Sequence, residues 1–136
     1  MLPSRFSIYV WLRQYRAEVL ACGWPAAWAW VLAQPGDLTR QVLGYRPLTI
    51  LPEGVWLGLM LTLVGANLWS LGRGALTPTR PQRGWRIGVA AGGATLWLGL
   101  GLVLLQAPIL SAGGLVYLWI GAGALLHAVL LLVYGE

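Results

Sequence analysis

Three polar side chains interrupt apolar stretches of this sequence and are the residues best placed to do chemistry: Glu18, Asn67 and His127. An ionisable group at membrane depth is by default a functional candidate, because a charge there is costly to keep. Glu18 has the chemistry to carry a coupling ion, and His127 has the chemistry to relay a proton. The alternative for His127 is a neutral ring that bonds to Asn67 or Thr95. The alternative for Glu18, close to Arg16, is access to headgroups and water at the start of its helix.

The usual patterns of an enzyme or a metal site are missing from the sequence. It has one histidine and one cysteine, so a haem or transition-metal site would have no second ligand of either type. No nucleophile elbow, zinc-protease helix or phosphate-binding loop occurs. We therefore predict no catalytic residue, no metal ligand and no cofactor.

The composition indicates that these residues lie in a membrane protein. The chain has 136 residues, of which 58% are hydrophobic and 10% are charged. A soluble domain has about 45–50% apolar and about 25% charged residues, and a small domain cannot hide such an excess in its core. The net charge of +5 comes from arginines that flank the apolar stretches. We therefore predict contact with the lipid bilayer and no nucleic-acid partner.

Four apolar stretches predict an all-α fold: a single integral membrane domain with four transmembrane helices. A spanning helix needs about 20 residues. The predicted helices cover residues 17–33, 51–71, 87–105 and 114–134. The first is the least regular, because it contains Glu18 and Pro25, and it either spans with a kink or lies in the interface. The turn-forming run from Gln34 to Asp37 is expected to end it.

The arginines predict the orientation of the bundle. Seven arginines lie before the first helix or around the connection between the second and third helices, whereas two lie in the connection that precedes the second helix. The positive-inside rule then predicts that both termini lie on the cytoplasmic side of the membrane. The arginines around the second connection are also expected to touch anionic lipid: Arg73, Arg80, Arg83 and Arg86.

Small residues recur at helical spacing on three of the predicted helices. Small side chains let helix backbones approach closely, which favours packing in lipid. The pattern predicts packing within the bundle or association with another copy or another membrane protein. The residues are Gly58, Thr62 and Gly65 on the second helix; Gly88, Gly92, Thr95 and Gly99 on the third; and Gly114, Gly121, Ala124 and Ala128 on the fourth.

Two stretches carry a resemblance to a known group of proteins. The first includes YRPL at 45–48, LPEGVWLG at 51–58 and LVG at 63–65; the second includes Leu96-Trp97, Pro108, the run 111–113 and Tyr117. Over residues 35–130 the chain resembles small multi-span membrane proteins encoded by tailed bacteriophages and prophages. The resemblance implies a phage-encoded, multi-pass protein of the bacterial inner membrane and transfers no catalytic residue.

These observations leave three classes of function open. The first is a non-enzymatic membrane protein that acts by packing against itself or a membrane partner. The second is a holin-like lysis protein that assembles through its small residues and permeabilises the membrane. The third is a small ion or solute transporter in which Glu18 is the coupling carboxylate.

Overall fold

The structure is a computed structural model that describes residues 8–36, 43–76, 82–106 and 112–134. Every regular element within these ranges is helical, which confirms the predicted all-α class. The elements are α1 (Ile8–Leu32), a 3-10 helix (Leu43–Ile50), α2 (Glu53–Leu76), α3 (Arg83–Leu104) and α4 (Ala112–Tyr134).

Three helices of the described part of the chain are long and apolar enough to cross a membrane. They are α2 with 24 residues, α3 with 22 residues and the 21 residues Gly114–Tyr134 of α4. Each meets the length of about 20 residues that the hydrocarbon core requires. The helix α1 does not belong to this set, so a fourth span and the orientation of the termini stay predictions.

The helix α1 begins well before the predicted start at residue 17. The prediction followed the apolar stretch, whereas the helix also includes the polar segment around Arg16. Pro25 lies inside the helix and is fully buried. The helix ends at Leu32, and Gly36 adopts a positive φ of 119°, which a residue without a Cβ tolerates. The helix thus ends just before the run from Gln34 to Asp37, as predicted, and Asp37 itself lies outside the described residues.

The helices form two pairs, in which α1 packs along α2 and α3 packs along α4. Between these pairs, α2 and α3 make far fewer contacts. The α3–α4 pair is antiparallel, since Gly101 near the end of α3 meets Leu118 near the start of α4, and Arg83 at the start of α3 bonds to Leu131 near the end of α4.

Each end of the bundle has its own set of side chains. The end that contains Tyr15, Arg86 and His127 is called the basic end here. The opposite end has an uncharged aromatic core and is called the aromatic end: it contains Trp28, Tyr45, Leu48, Trp56, Trp97 and Tyr117.

The 3-10 helix closes the aromatic end and was not predicted. Its Leu48 side chain is 1% exposed, and the Leu48 carbonyl accepts a hydrogen bond of 2.8 Å from Trp56 Nε1. Trp28 Nε1 donates a 2.8 Å hydrogen bond to the Tyr117 hydroxyl. The Tyr117 ring stacks on Trp97 with centroids 5.6 Å apart. The N–H groups of Trp28 and Trp56 are thus satisfied inside an apolar core, as buried indoles require.

Candidate functional site

A buried cluster of ionisable side chains joins three helices at the basic end. Glu18 of α1 accepts a hydrogen bond on Oε1 from Nε of Arg86 in the first turn of α3. His127 of α4 places Nε2 3.5 Å from the same oxygen. The Glu18 and Arg86 side chains are each only 5% exposed. The cluster therefore links α1 to the α3–α4 pair through a neutralised charge.

Arg86 is held by α1 at two further points. Its Nη2 donates a 3.1 Å hydrogen bond to the backbone carbonyl of Gln14. Its guanidinium carbon lies 4.7 Å from the centre of the Tyr15 ring, within cation–π range. Because these contacts involve successive turns of α1, they fix the rotation of α1 relative to α3.

The cluster differs from what the sequence suggested for Glu18 and His127. Glu18 is buried and ion-paired, so it lacks the expected access to headgroups and water. His127 approaches Glu18 and not Asn67 or Thr95. The Asn67 amide donates instead to the Leu63 carbonyl at 2.9 Å, and the Thr95 hydroxyl donates to the carbonyl four residues earlier at 3.0 Å.

Sequence reasoning missed the pairing of Glu18 with Arg86. Arg86 was assigned to orientation and lipid contact because it belongs to a run of arginines. The available indication was energetic: a carboxylate within an apolar helix needs an opposite charge, and Arg86 lies at the border of the third apolar stretch.

A cavity of about 290 Å³ adjoins the cluster and is lined by all four helices. Its wall is mainly apolar and includes Leu63, Val89, Trp97 and Ile120. Glu18, Asn67, Arg86 and His127 are its polar lining residues. The arrangement, an apolar chamber with polar groups gathered in one region, is typical of small-ligand sites.

The other arginines that were assigned to lipid contact have protein contacts where the structure describes them. Arg83 donates from Nε to the Leu131 carbonyl at 2.9 Å and from Nη2 to the Leu132 carbonyl. These carbonyls belong to the last turn of α4, where a cation is favoured by the helix dipole. The Arg73 guanidinium lies 5.7 Å from the Trp69 ring centre. Arg80 lies outside the described residues.

Two glycines of α4, Gly114 and Gly121, lie at a close contact with α3. A Cβ at Gly121 would lie 2.8 Å from the backbone nitrogen of Leu98, and one at Gly101 would lie 2.9 Å from the backbone nitrogen of Leu118. A Cβ at Gly114 would lie 3.3 Å from the Gly101 carbonyl oxygen. These glycines let the two backbones approach each other directly.

The remaining small residues of the pattern are divided among different surroundings. Ala128 is buried, and Ala124 lines the cavity. Thr62 donates to the Gly58 carbonyl of its own helix at 2.8 Å. The glycines of the pattern on α2 and α3 have open space where a Cβ would point, with no atom within 4 Å: Gly58, Gly65, Gly88, Gly92 and Gly99.

Some of these open positions border a groove between α2 and α3. The groove has a volume of about 390 Å³. Its α3 side is formed by Gly88 and Gly92 together with Trp85, and its α2 side by Leu59 and Thr62. The loosely packed pair of α2 and α3 therefore exposes small side chains.

Comparisons with known proteins add no relative. No family model, curated protein or solved structure matches the chain. Among the described residues, no three histidine, cysteine, aspartate or glutamate side chains lie close enough together to hold a metal ion.

Proposed function

We propose that the chain is a small, non-enzymatic integral membrane protein that works by packing against a second copy or another membrane protein. The groove between α2 and α3 carries this proposal. Gly88 and Gly92 have no neighbour within 4 Å of a Cβ position, whereas Gly121 meets the backbone of the neighbouring helix. In lipid, a helix gains little from burying leucine but gains van der Waals contact where small residues admit its backbone.

In this proposal α1 is a fourth span of a protein in the bacterial inner membrane, and both termini lie on the cytoplasmic side. Its 25 residues would reach about 37 Å at 1.5 Å per residue, enough to cross the hydrocarbon core. The Glu18–Arg86 pair supports the assignment, since it neutralises the acidic side chain that weakens the apolar character of α1. The resemblance to phage-encoded membrane proteins supports a phage or prophage origin.

The test is site-specific crosslinking in native membranes. Cys22 is first replaced by serine, and single cysteines are introduced by Gly92→Cys in the groove or by Leu126→Cys on α4, a position that is 59% exposed. A groove used for self-association gives a disulfide-linked dimer for Gly92→Cys and little for Leu126→Cys. A photoreactive side chain at position 92 detects a different membrane partner.

A second variant tests the packing itself. Gly92→Leu fills the groove, so it is combined with a single cysteine at Gly88→Cys, a second open position in the same groove. Gly88→Cys alone should give the disulfide-linked dimer, and the added Gly92→Leu should abolish it, because a bulky side chain separates the helices. Monomer alone for every cysteine and every photoreactive position contradicts the proposal. An abrupt loss of membrane potential after a lag during expression, shifted in time by Gly92→Leu, would replace it with the holin-like function.

A further inference from the structure

The cavity beside the charged cluster has the features of a ligand site, which the packing function does not require. It is lined by residues of all four helices, shares Leu63 and Val89 with the groove between α2 and α3, and extends to Leu20 and Trp24, which are 72% and 49% exposed. Its volume of about 290 Å³ is close to the lower end of the roughly 300–1,000 Å³ of small-molecule sites. Trp97, 3% exposed, forms part of its inner wall.

Glu18 and His127, which both line the cavity, each have a buried polar atom without a hydrogen-bond partner among the described residues. Glu18 Oε1 accepts from Arg86 and lies 3.5 Å from the unpartnered His127 Nε2, while Oε2 is buried and has no hydrogen bond from any described residue. Glu18 as a whole is 4% exposed. Burial without a hydrogen bond raises the free energy of a polar atom. A donor that enters the cavity recovers this free energy, so Oε2 marks the polar end of a binding site.

The charge of the cluster decides which ligands fit. Arg86 already neutralises Glu18, so an ammonium ion would bring an uncompensated positive charge into an apolar chamber. An anion would face the carboxylate oxygen. Unpaired charges in such surroundings are costly, whereas a hydroxyl group can donate to Oε2 without changing the net charge.

We propose that this cavity binds an uncharged small molecule that has a compact apolar body and one hydroxyl group. The hydroxyl donates to Oε2 of Glu18, and the apolar body packs against Trp97, Val89 and Ile120. Arg86 holds the carboxylate in place from the opposite oxygen. The inference is independent of the packing function, because a bundle that associates through the groove between α2 and α3 needs no ligand in the cavity.

The experiment is calorimetric titration of the full chain in phosphatidylcholine nanodiscs, with empty nanodiscs subtracted. The probes share one apolar cage and differ in one group: adamantanol, aminoadamantane and adamantane carboxylate. We expect saturable binding of adamantanol with one molecule per chain. The two charged probes should bind at least about tenfold more weakly, since each places a net charge in the cavity.

A cavity-filling variant with a matched control completes the test. Gly123 lines the cavity, and a Cβ there meets no atom within 4 Å. Gly123→Leu should therefore fold and reduce adamantanol affinity at least about tenfold. Gly72→Leu makes the same change at an open position outside the cavity lining and should leave the affinity unchanged.

Three results would overturn the proposal: no saturable adamantanol binding, equal affinity in the Gly123→Leu variant, or tighter binding of a charged probe. Where adamantanol does bind, nanodiscs that contain diacylglycerol separate two sources of the hydroxyl. Competition by diacylglycerol identifies a membrane lipid as the natural source, and undiminished adamantanol binding identifies a free solute.

Discussion

The basic end and the aromatic end both tie α1 to the rest of the bundle, but they use different chemistry. At the aromatic end, Trp28 bonds to Tyr117 and all partners are uncharged. At the basic end, Glu18 bonds to Arg86, and loss of either partner leaves a buried charge. Neutral contacts therefore weaken by increments, whereas the ionic contact is either complete or strongly destabilising.

The variant Arg86→Met is expected to have the largest effect on stability. Removing the guanidinium leaves the Glu18 carboxylate buried without a counter-charge, which costs about 3–5 kcal/mol. We expect a loss of that size in the free energy of unfolding, measured by denaturant titration in detergent micelles. The double variant Glu18→Gln, Arg86→Met should recover most of it, because no charge stays buried. A single variant as stable as the parent would show that the two ends do not differ.

The next largest loss of stability is expected at the contact between α3 and α4, which extends from one end of the bundle to the other. In Gly121→Ala the new Cβ would lie 2.8 Å from the Leu98 backbone nitrogen, so the helices must separate. Overpacking of this kind costs about 1–3 kcal/mol. The control Gly99→Ala adds the same methyl group to open space on α3. The same denaturant titration compares them, and an equal loss in both variants would contradict the assigned contact.

At the aromatic end, Trp28→Phe sharpens the comparison by removing one neutral hydrogen bond. The variant keeps an aromatic ring but loses the donor to the Tyr117 hydroxyl. The free energy of unfolding should fall by about 0.5–1.5 kcal/mol, clearly less than for Arg86→Met. Trp30 is 71% exposed, and Trp30→Phe should have little effect. A Trp28→Phe loss as large as that of Arg86→Met would remove the distinction.

The smallest expected effect is Arg83→Gln, which tests whether charge also matters at the rim of the basic end. Arg83 bonds to the carbonyls of Leu131 and Leu132, and a cation at a helix C-terminus contributes about 0.3–1 kcal/mol. We expect faster amide hydrogen exchange in the last turn of α4 with little change in global stability. Arg46→Gln, on the 3-10 helix, should leave that exchange unchanged.

The helical class and the position of the apolar helices could be predicted from the sequence. Long apolar runs bounded by proline and glycine have few alternatives, because backbone groups in lipid must bond within their own helix. The start of α1 could not be placed in this way. Arg16 and its polar neighbours belong to the helix but not to the apolar stretch. The helix therefore begins before the hydropathy pattern that was used to predict it.

The site was only partly predictable. Glu18 and His127 stood out as ionisable residues in apolar surroundings, but their contact depends on how three helices rotate about their axes. The same rotation decides that Gly121 meets α3 while Gly92 faces an open groove. Helical spacing places residues on one face and leaves the neighbour of that face undetermined. The 3-10 helix could not be predicted from its own residues, because its burial depends on contacts with Trp56 and Trp28.

The pairing of Glu18 with Arg86 also sets an order of events during synthesis. The two residues are 68 positions apart in the chain. At about 5–20 residues per second, the carboxylate leaves the ribosome roughly 3–14 s before its partner exists. During that interval Glu18 has no counter-charge from Arg86. The contact that fixes α1 against α3 can therefore form only after the third helix has been made.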